Sequence, residues 1–373
     1  MYDVGRIIAE PELLAPLRRA VDGEAPAYLR SVKIKLTARC NLKCKMCRYG
    51  RGEKPPELAT ERWLTIIDEL AALGCRKIHW SGGEVMMRRD LEVLMARARA
   101  RRMKVTLTSN LTLLTKDRAK AIMKLRPSGL STSLDGARAK THDRVRGIEG
   151  SHKRTLRALR RLERYRRDHR PRTRINFVMM RENMHEYPAV VDLAAAHGAI
   201  DVIPMPVDSS QRALRLNKPL IRRYEEQVAP LVEARRRAAG FSLDPQRIHP
   251  FGAHGTFQAA ARGHYAGGYY ERKACYAPYL HMFVAWNGHV FLCCMTNGRI
   301  DPLGDLSHQS VAEVFRGARF AAIRARMAHR RLPSCHRCDM YTDENRRLAE
   351  VLPQPVAPRS TGSSPRRLPL IAS

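Results

Sequence analysis

The sequence predicts an α/β fold of six strand-helix units, arranged either as an open parallel sheet or as a partial barrel, followed by a smaller C-terminal region. Short apolar strand patterns alternate with helix-period patterns six times in ~210 residues, a spacing that calls for parallel strands joined by covering helices. The residues able to carry chemistry, Cys40 to Cys47, Ser81-Gly82-Gly83-Glu84, Ser109-Asn110 and Asp135-Gly136, each fall just after a strand. In either arrangement those positions converge on one mouth, at the C-terminal ends of the strands. Beyond Gly240 the alternation fades, and two apolar strands joined by Asn287-Gly288 read as a tight hairpin.

Residues 1–30 form an N-terminal extension with one short helix, on which Leu13, Leu14 and Leu17 share a face. The core, 31–239, has strands at Val32 to Leu36, Lys77 to Trp80, Lys104 to Thr108, Leu130 to Leu134, Arg174 to Met179 and Asp201 to Ile203. Its first helix runs from Thr60 to Leu73, with Thr60 as N-cap and Gly74 as terminator. The others are Asp90 to Arg101, Thr115 to Lys124, Ser151 to Asp168, His185 to His197 and Lys218 to Ala239. A connector, 240–274, holds His249, His254, His264, Tyr265, Tyr269 and Tyr270, which read either as pocket lining or as packing and surface. Residues 275–345 form the C-terminal domain, with strands Leu280 to Trp286 and His289 to Met295 and a helix from Val311 to Arg330; the tail 353–373, rich in Pro, Ser and Arg, reads as disordered.

The balance of 68 basic against 36 acidic residues gives a net charge of +32, read either as solvated Arg-rich helix faces or as a surface for a polyanion such as nucleic acid. No stretch reaches the ~18 to 20 apolar residues of a spanning helix, so no membrane partner is expected. Nine cysteines without a signal-peptide pattern suggest a cytoplasmic chain whose thiols hold metal. Cys40, Cys44 and Cys47 lie within eight residues, and three sulfurs leave one iron of a cubane, or one zinc position, open.

That Cys-x3-Cys-x2-Cys loop after the first strand resembles the signature of the radical S-adenosylmethionine (SAM) superfamily. The resemblance implies a partial (β/α)6 TIM barrel in which Cys40, Cys44 and Cys47 hold a [4Fe-4S] cluster, whose open iron binds SAM. It further implies reductive cleavage of SAM to a 5′-deoxyadenosyl radical, with electrons from a donor such as flavodoxin or ferredoxin. Gly82, Gly83 and Glu84 match the loop that binds SAM's amino group; glycines let backbone approach a ligand and a carboxylate can receive an ammonium group. Val85 follows where the family often has Pro, and Met46 stands where many members have an aromatic residue. Ser109, Asn110, Ser133 and Asp135 match positions used near SAM's ribose and methionine, or are turn formers.

Cys275, Gly288, Cys293 and then Cys335-x-x-Cys338 resemble the opening of the SPASM domain. With no cysteine after Cys338, the truncated Twitch variant fits better: a small α+β domain with one auxiliary [4Fe-4S] cluster. Structural zinc is the alternative for these four thiols. Cys294 is a candidate hydrogen donor to a substrate radical, although strand alternation would turn it away from Cys293; Cys75, before the second strand, lies at the wrong end. Arg144 and Arg146 bind an anionic substrate or form ordinary salt bridges. The leading functional expectation is dehydrogenation or epimerisation of a small polar substrate, a sugar or aminocyclitol. Maturation of a ribosomal peptide comes second, although a leader-binding domain of ~80 residues does not fit within the first 30. RNA modification or binding comes third.

Overall fold

Alternation of side chains along short strands decides which face of the sheet is buried. In the computed structural model, Val32, Ile34, Ile78, Trp80, Val105, Leu107, Leu130, Ile175 and Phe177 turn into one hydrophobic core. The residues between them, Lys33, Lys35, His79, Thr106, Thr108, Ser131, Ser133 and Asn176, stay partly accessible on the opposite face. The structure describes residues 2–52, 56–166, 171–209, 211–252, 257–264, 269–329, 332–338 and 340–353. His254, Tyr265 and nearly all of the tail lie outside the described residues.

Strands β1 (Ser31–Lys35), β2 (Lys77–Ser81), β3 (Lys104–Thr108), β4 (Gly129–Ser133), β5 (Arg172–Met179) and β6 (Asp201–Pro206) pair in parallel with their neighbours in chain order. Helices α1 (Val4–Ala9) and α2 (Pro11–Val21) precede them, so the N-terminal extension holds two helices, with Pro11 opening the second. The connecting helices are α3 (Thr60–Ala72), α4 (Leu91–Ala100), α5 (Lys116–Lys124), α6 (Ala139–Arg146), α7 (Ser151–Arg164) and α8 (Tyr187–Ala196). Thr60 does not cap α3: Ala59 holds the N-cap position, and the Thr60 hydroxyl donates instead to Asp90 Oδ2 at 2.7 Å.

The helix expected from Lys218 to Ala239 is two, α9 (Lys218–Arg223) and α10 (Ala229–Ala238), joined by a π-helical turn over Tyr224–Val228. Pro230 has no N–H to continue the ladder, and the turn before it widens, with Ala229 N–H reaching back to Tyr224. The helix expected from Val311 to Arg330 also breaks, into Val311–Arg316 and Ala318–His329 around Gly317, where a Cβ would lie 2.5 Å from the Glu313 carbonyl. The first piece starts with a capping box between Ser310 and Glu313.

The larger departure is topological. Strand β7 (His281–Val284) pairs in parallel with β1, followed by antiparallel β8 (His289–Phe291) and β9 (Gly304–Asp305). The described residues thus form one nine-stranded sheet in the order β6-β5-β4-β3-β2-β1-β7-β8-β9. The open edge that β1 would expose in an unclosed barrel is covered by the C-terminal segment. At that seam His281 lies with Nδ1 2.9 Å from Ser31 Oγ and Nε2 3.2 Å from the Tyr341 hydroxyl. Burial, reinforced by Lys33, pushes the His281 pKa down to about 3. The expected hairpin forms, and Gly288 takes φ +92°, with its N–H on the Ala285 carbonyl at 3.0 Å.

Candidate metal centre

The loop after β1 carries Cys40, Cys44 and Cys47 and is pinned from several sides by backbone. Gly83 N–H donates to Thr37 O and Glu84 N–H to Arg39 O, both at 2.8 Å, while Lys43 and Lys45 N–H donate to the carbonyls of Arg146 and Val145 at 3.1 and 3.0 Å. Gly50 folds the loop back on itself: at φ +74° its Cβ would sit 2.3 Å from the Leu42 carbonyl. Two of the sulfurs accept hydrogen bonds, Cys40 from Leu42 N–H at 3.5 Å and Cys44 from Arg146 Nη1 at 3.7 Å. Burial pushes the Cys40 thiol up to about 11 and raises that of Cys44, against which Arg146 works. A backbone N–H and a guanidinium aimed at sulfur favour thiolate over thiol, which is the donor chemistry an iron-sulfur cluster requires.

The glycines of the Gly82-Gly83-Glu84 loop are required for a reason other than ligand approach. A Cβ on Gly82 would lie 2.5 Å from Thr37 O, and one on Gly83 2.2 Å from Arg39 O, so they let this loop lie flat against the cysteine loop. Nor is the Glu84 carboxylate free. It is 1% exposed, its Oε1 accepts from Met86 N–H at 2.9 Å and Ser109 Oγ at 2.6 Å, and its Oε2 accepts from Asn110 N–H at 2.6 Å. Burial raises its pKa against these donors. Glu84 therefore ties the loop after β2 to the loop after β3, and the Gly83 and Glu84 N–H groups are spent on the cysteine loop.

Asn110 extends the network back to the cysteine loop, donating from Nδ2 to Asn41 Oδ1 at 2.9 Å while its Oδ1 accepts from Thr112. Leu111 pays for this turn with φ +61°, its N–H bonded to Ser109 Oγ at 2.9 Å. Asp135 is fully buried and also structural: Oδ1 accepts from Val178 N–H at 2.8 Å, and Oδ2 is 2.7 Å from Arg146 Nη2. Burial raises the Asp135 carboxyl pKa, and Arg146 opposes that rise. Arg146 thus links Asp135 to Cys44, while Arg144 pairs with Glu182 at 2.9 Å. Both arginines form the ordinary salt bridges expected as the alternative to anion binding. Ser133 ends β4 on the partly accessible face.

The second thiol group is assembled from separate segments. The Cys293 thiol is raised by burial and then by Cys294, Cys275 and Cys335. Cys275 and Cys338 together act on Tyr270, and Cys338 Sγ accepts from Met340 N–H at 3.4 Å. Strand alternation does not govern Cys294, because β8 ends at Phe291 and the chain turns; Thr296 Oγ1 accepts from Cys293 N–H at 3.1 Å and Thr296 N–H returns to Cys293 O at 3.2 Å. Cys294 and Cys47 both lie within electrostatic reach of the Lys35 ammonium. These electrostatic contacts bring the four thiols into one neighbourhood without setting them around one ion. Among the described residues, no three or more His, Cys, Asp or Glu side chains converge as ligands of one ion would.

Several candidates fall elsewhere. Cys75 is buried two residues before β2 and its thiol donates to Lys77 O at 3.4 Å. Tyr270 packs within the C-terminal segment, with Asn345 Nδ2 2.8 Å from its hydroxyl, and Tyr269 stacks edge-on against it at 4.8 Å. His249 pairs with Glu225, and His264 lies 3.8 Å from Glu271. Sequence reading missed Lys35 and the Asn41-Asn110-Thr112 network; alternating lysines at 33 and 35 in an apolar strand were the available signal for the former.

Residues 34–194 match the family model described as radical SAM superfamily. Residues 275–339 match SPASM, an iron-sulfur cluster-binding domain. The first match implies a [4Fe-4S] cluster and SAM, and the second an auxiliary cluster. The chain is similar to Fe-coproporphyrin III synthase of Methanosarcina barkeri, 36% identical over 161 residues, covering 42% of this chain and 39% of the relative. It is also similar to PqqA peptide cyclase of Rhodopseudomonas palustris, 30% identical over 217 residues and 56% of each. The chain spans about half the length of the curated relatives it matches. SuiB of Streptococcus suis, solved bound to the precursor peptide SuiA, shares the fold with a TM-score of 0.62 at 16% identity, covering 84% of this chain and 70% of that one.

Proposed function

Because this chain belongs to the radical SAM superfamily and carries a SPASM-type iron-sulfur domain, we propose that it is a radical enzyme that modifies a ribosomally made peptide. The observation that carries the peptide reading is the likeness to PqqA peptide cyclase over more than half of each chain. The sugar or aminocyclitol expectation has no comparable support among the relatives. Cys40, Cys44 and Cys47 would hold the SAM-binding cluster, and Cys275, Cys293, Cys335 and Cys338 one auxiliary cluster. When bound, the cluster and SAM supply a 5′-deoxyadenosyl radical that removes a hydrogen atom from the substrate.

The chain's own residues hold and shape that site. Arg146 places a positive charge beside Cys44, and Asn110 and Ser133 offer polar groups at the mouth, while Glu84, Ser109 and Asp135 hold the loops there in place. Cys294, within electrostatic reach of Lys35, would be the hydrogen donor if the outcome is an epimerisation. The net charge of +32 suits electron delivery by a small acidic carrier such as flavodoxin or ferredoxin, and reduced thiols suit the cytoplasm. A second reading, action on a tetrapyrrole, is favoured by the 36% identity to Fe-coproporphyrin III synthase.

The test incubates anaerobically reconstituted enzyme with SAM, dithionite and the short peptides encoded beside its gene. Expected are 5′-deoxyadenosine and a peptide that has lost hydrogen, or that gains deuterium in D2O if the outcome is epimerisation. 5′-Deoxyadenosine with every peptide unchanged, alongside turnover of an iron tetrapyrrole, would transfer the assignment to the second reading.

A further inference from the structure

The sheet face turned away from the core carries cations that the catalytic reading does not use. Lys33 and Lys35 of β1 lie opposite the buried Val32 and Ile34. The register carries the Lys35 row across the sheet: Lys35 pairs with Ser81, Thr108 with Ser131, and Ser131 with Arg174. Continuing the β2–β3 register by one residue sets Ser81 beside Thr108, so the row has a cation at each end and hydroxyls between. Asp201, opposite Arg174 in the register, is already taken by Arg236 at 2.5 Å and Arg247 at 3.4 Å. Lys33, Lys35 and Arg174 have no ion pair to a described residue. Lys33 sits beside His79, whose ring nitrogens are engaged by Thr106 and Thr108 at 2.9 and 3.1 Å.

Lys35 is the cation nearest the mouth. Its Nζ lies 5.1 Å from the Tyr49 ring centroid and within electrostatic reach of both Cys47 and Cys294. Burial pushes its pKa down to about 8, and burial with Lys33 also holds His79 neutral. Half-desolvated lysines without an ion pair are costly in the free protein, and an anion with planar oxygens would offset that cost through charge-assisted hydrogen bonds.

We propose that this face binds a carboxylate of the substrate, seated by Lys35 with Lys33 behind it on the same strand. In a peptide the carboxylate is the side chain of an acidic residue beside the modified position. The inference rests on the reading of the mouth as the reaction site and narrows its substrate class.

The test is acetic anhydride footprinting of the reconstituted holoenzyme with SAM present, read by mass spectrometry at Lys33 and Lys35. Glutarate should protect both lysines severalfold while glutaramide, its neutral diamide, does not. Lys35→Gln should raise the glutarate concentration that half-protects Lys33 by about tenfold. Equal protection by both probes, or by neither, overturns the proposal. So does protection that SAM gives and decarboxylated SAM does not, with nothing added by glutarate, since the carboxylate would then be the cosubstrate's own. The footprint needs no turnover, so it fails separately from the radical SAM reading, which fails if the same preparation forms no 5′-deoxyadenosine.

Discussion

The thiols of Cys40, Cys44 and Cys47 come from one short loop, held by backbone hydrogen bonds from the segments after β2 and around α6. Those of Cys275, Cys293, Cys335 and Cys338 come from separate segments of the C-terminal part, which joins the core sheet by pairing of β7 with β1. The first group is local in sequence and depends on glycines that let loops touch. The second depends on a seam between distant parts of the chain. The two should therefore fail differently.

The largest effect separates them outright. Replacing Cys40, Cys44 and Cys47 together by Ala should abolish 5′-deoxyadenosine formation and lower bound iron from about eight to about four per chain. Replacing Cys275, Cys293, Cys335 and Cys338 should leave about four irons and measurable SAM cleavage while product formation is lost. Zinc in place of the second set of irons, by metal analysis of the parent protein, would break the comparison.

Arg146→Met removes the partner of buried Asp135 and the donor to Cys44. We expect a loss of about 3 to 5 kcal/mol in urea unfolding, with slower cluster loading at the first group. Arg146→Met, Asp135→Asn should recover part of the stability and none of the loading.

The seam should be acid-sensitive. His281 is held neutral with a pKa of about 3, against ~6.5 in an unfolded chain. The unfolded state therefore binds the proton first, so this contribution is complete above the unfolded value and is lost as pH falls toward the folded one. Between pH 6.5 and 5 the loss is about 2 kcal/mol. His281→Gln should flatten that slope in thermal melts, whereas variants in the first loop should not.

The smallest effect lies at the rim, where Asp208, in the loop after β6, pairs with Arg337 at 2.6 Å and Arg299 at 3.2 Å. Asp208→Asn should cost below about 1 kcal/mol, because these groups are partly exposed. A change in product yield with unchanged SAM cleavage would show that this bridge between the barrel rim and the C-terminal segment positions substrate.

Much of this was legible in the sequence where the signal is local. The β1 to β6 alternation, the cysteine spacing, the Asn287-Gly288 hairpin and the placement of site residues after strands follow from periodicities of a few residues. Side-chain occupancy was not: Glu84 and Asp135 have the residue types expected of ligand contacts, but their oxygens are taken by Ser109, Asn110, Val178 and Arg146, from other loops. The breaks at Tyr224–Val228 and Gly317 had a signal in Pro230 and in Gly317 itself, outweighed by the apolar period around them.

By itself the sequence determined the strand-helix core that matches the radical SAM model, the cysteine spacing and the number of βα units, because strand pattern and ligand spacing are short-range properties. Only the tertiary structure decided that the C-terminal segment continues the same sheet, that Gly82 and Gly83 serve loop contact, and that Lys35 comes within electrostatic reach of Cys47 and Cys294. Each of those depends on which distant backbone fills an open edge or a gap too small for a Cβ, and nothing in the spacing of residues along the chain encodes that choice.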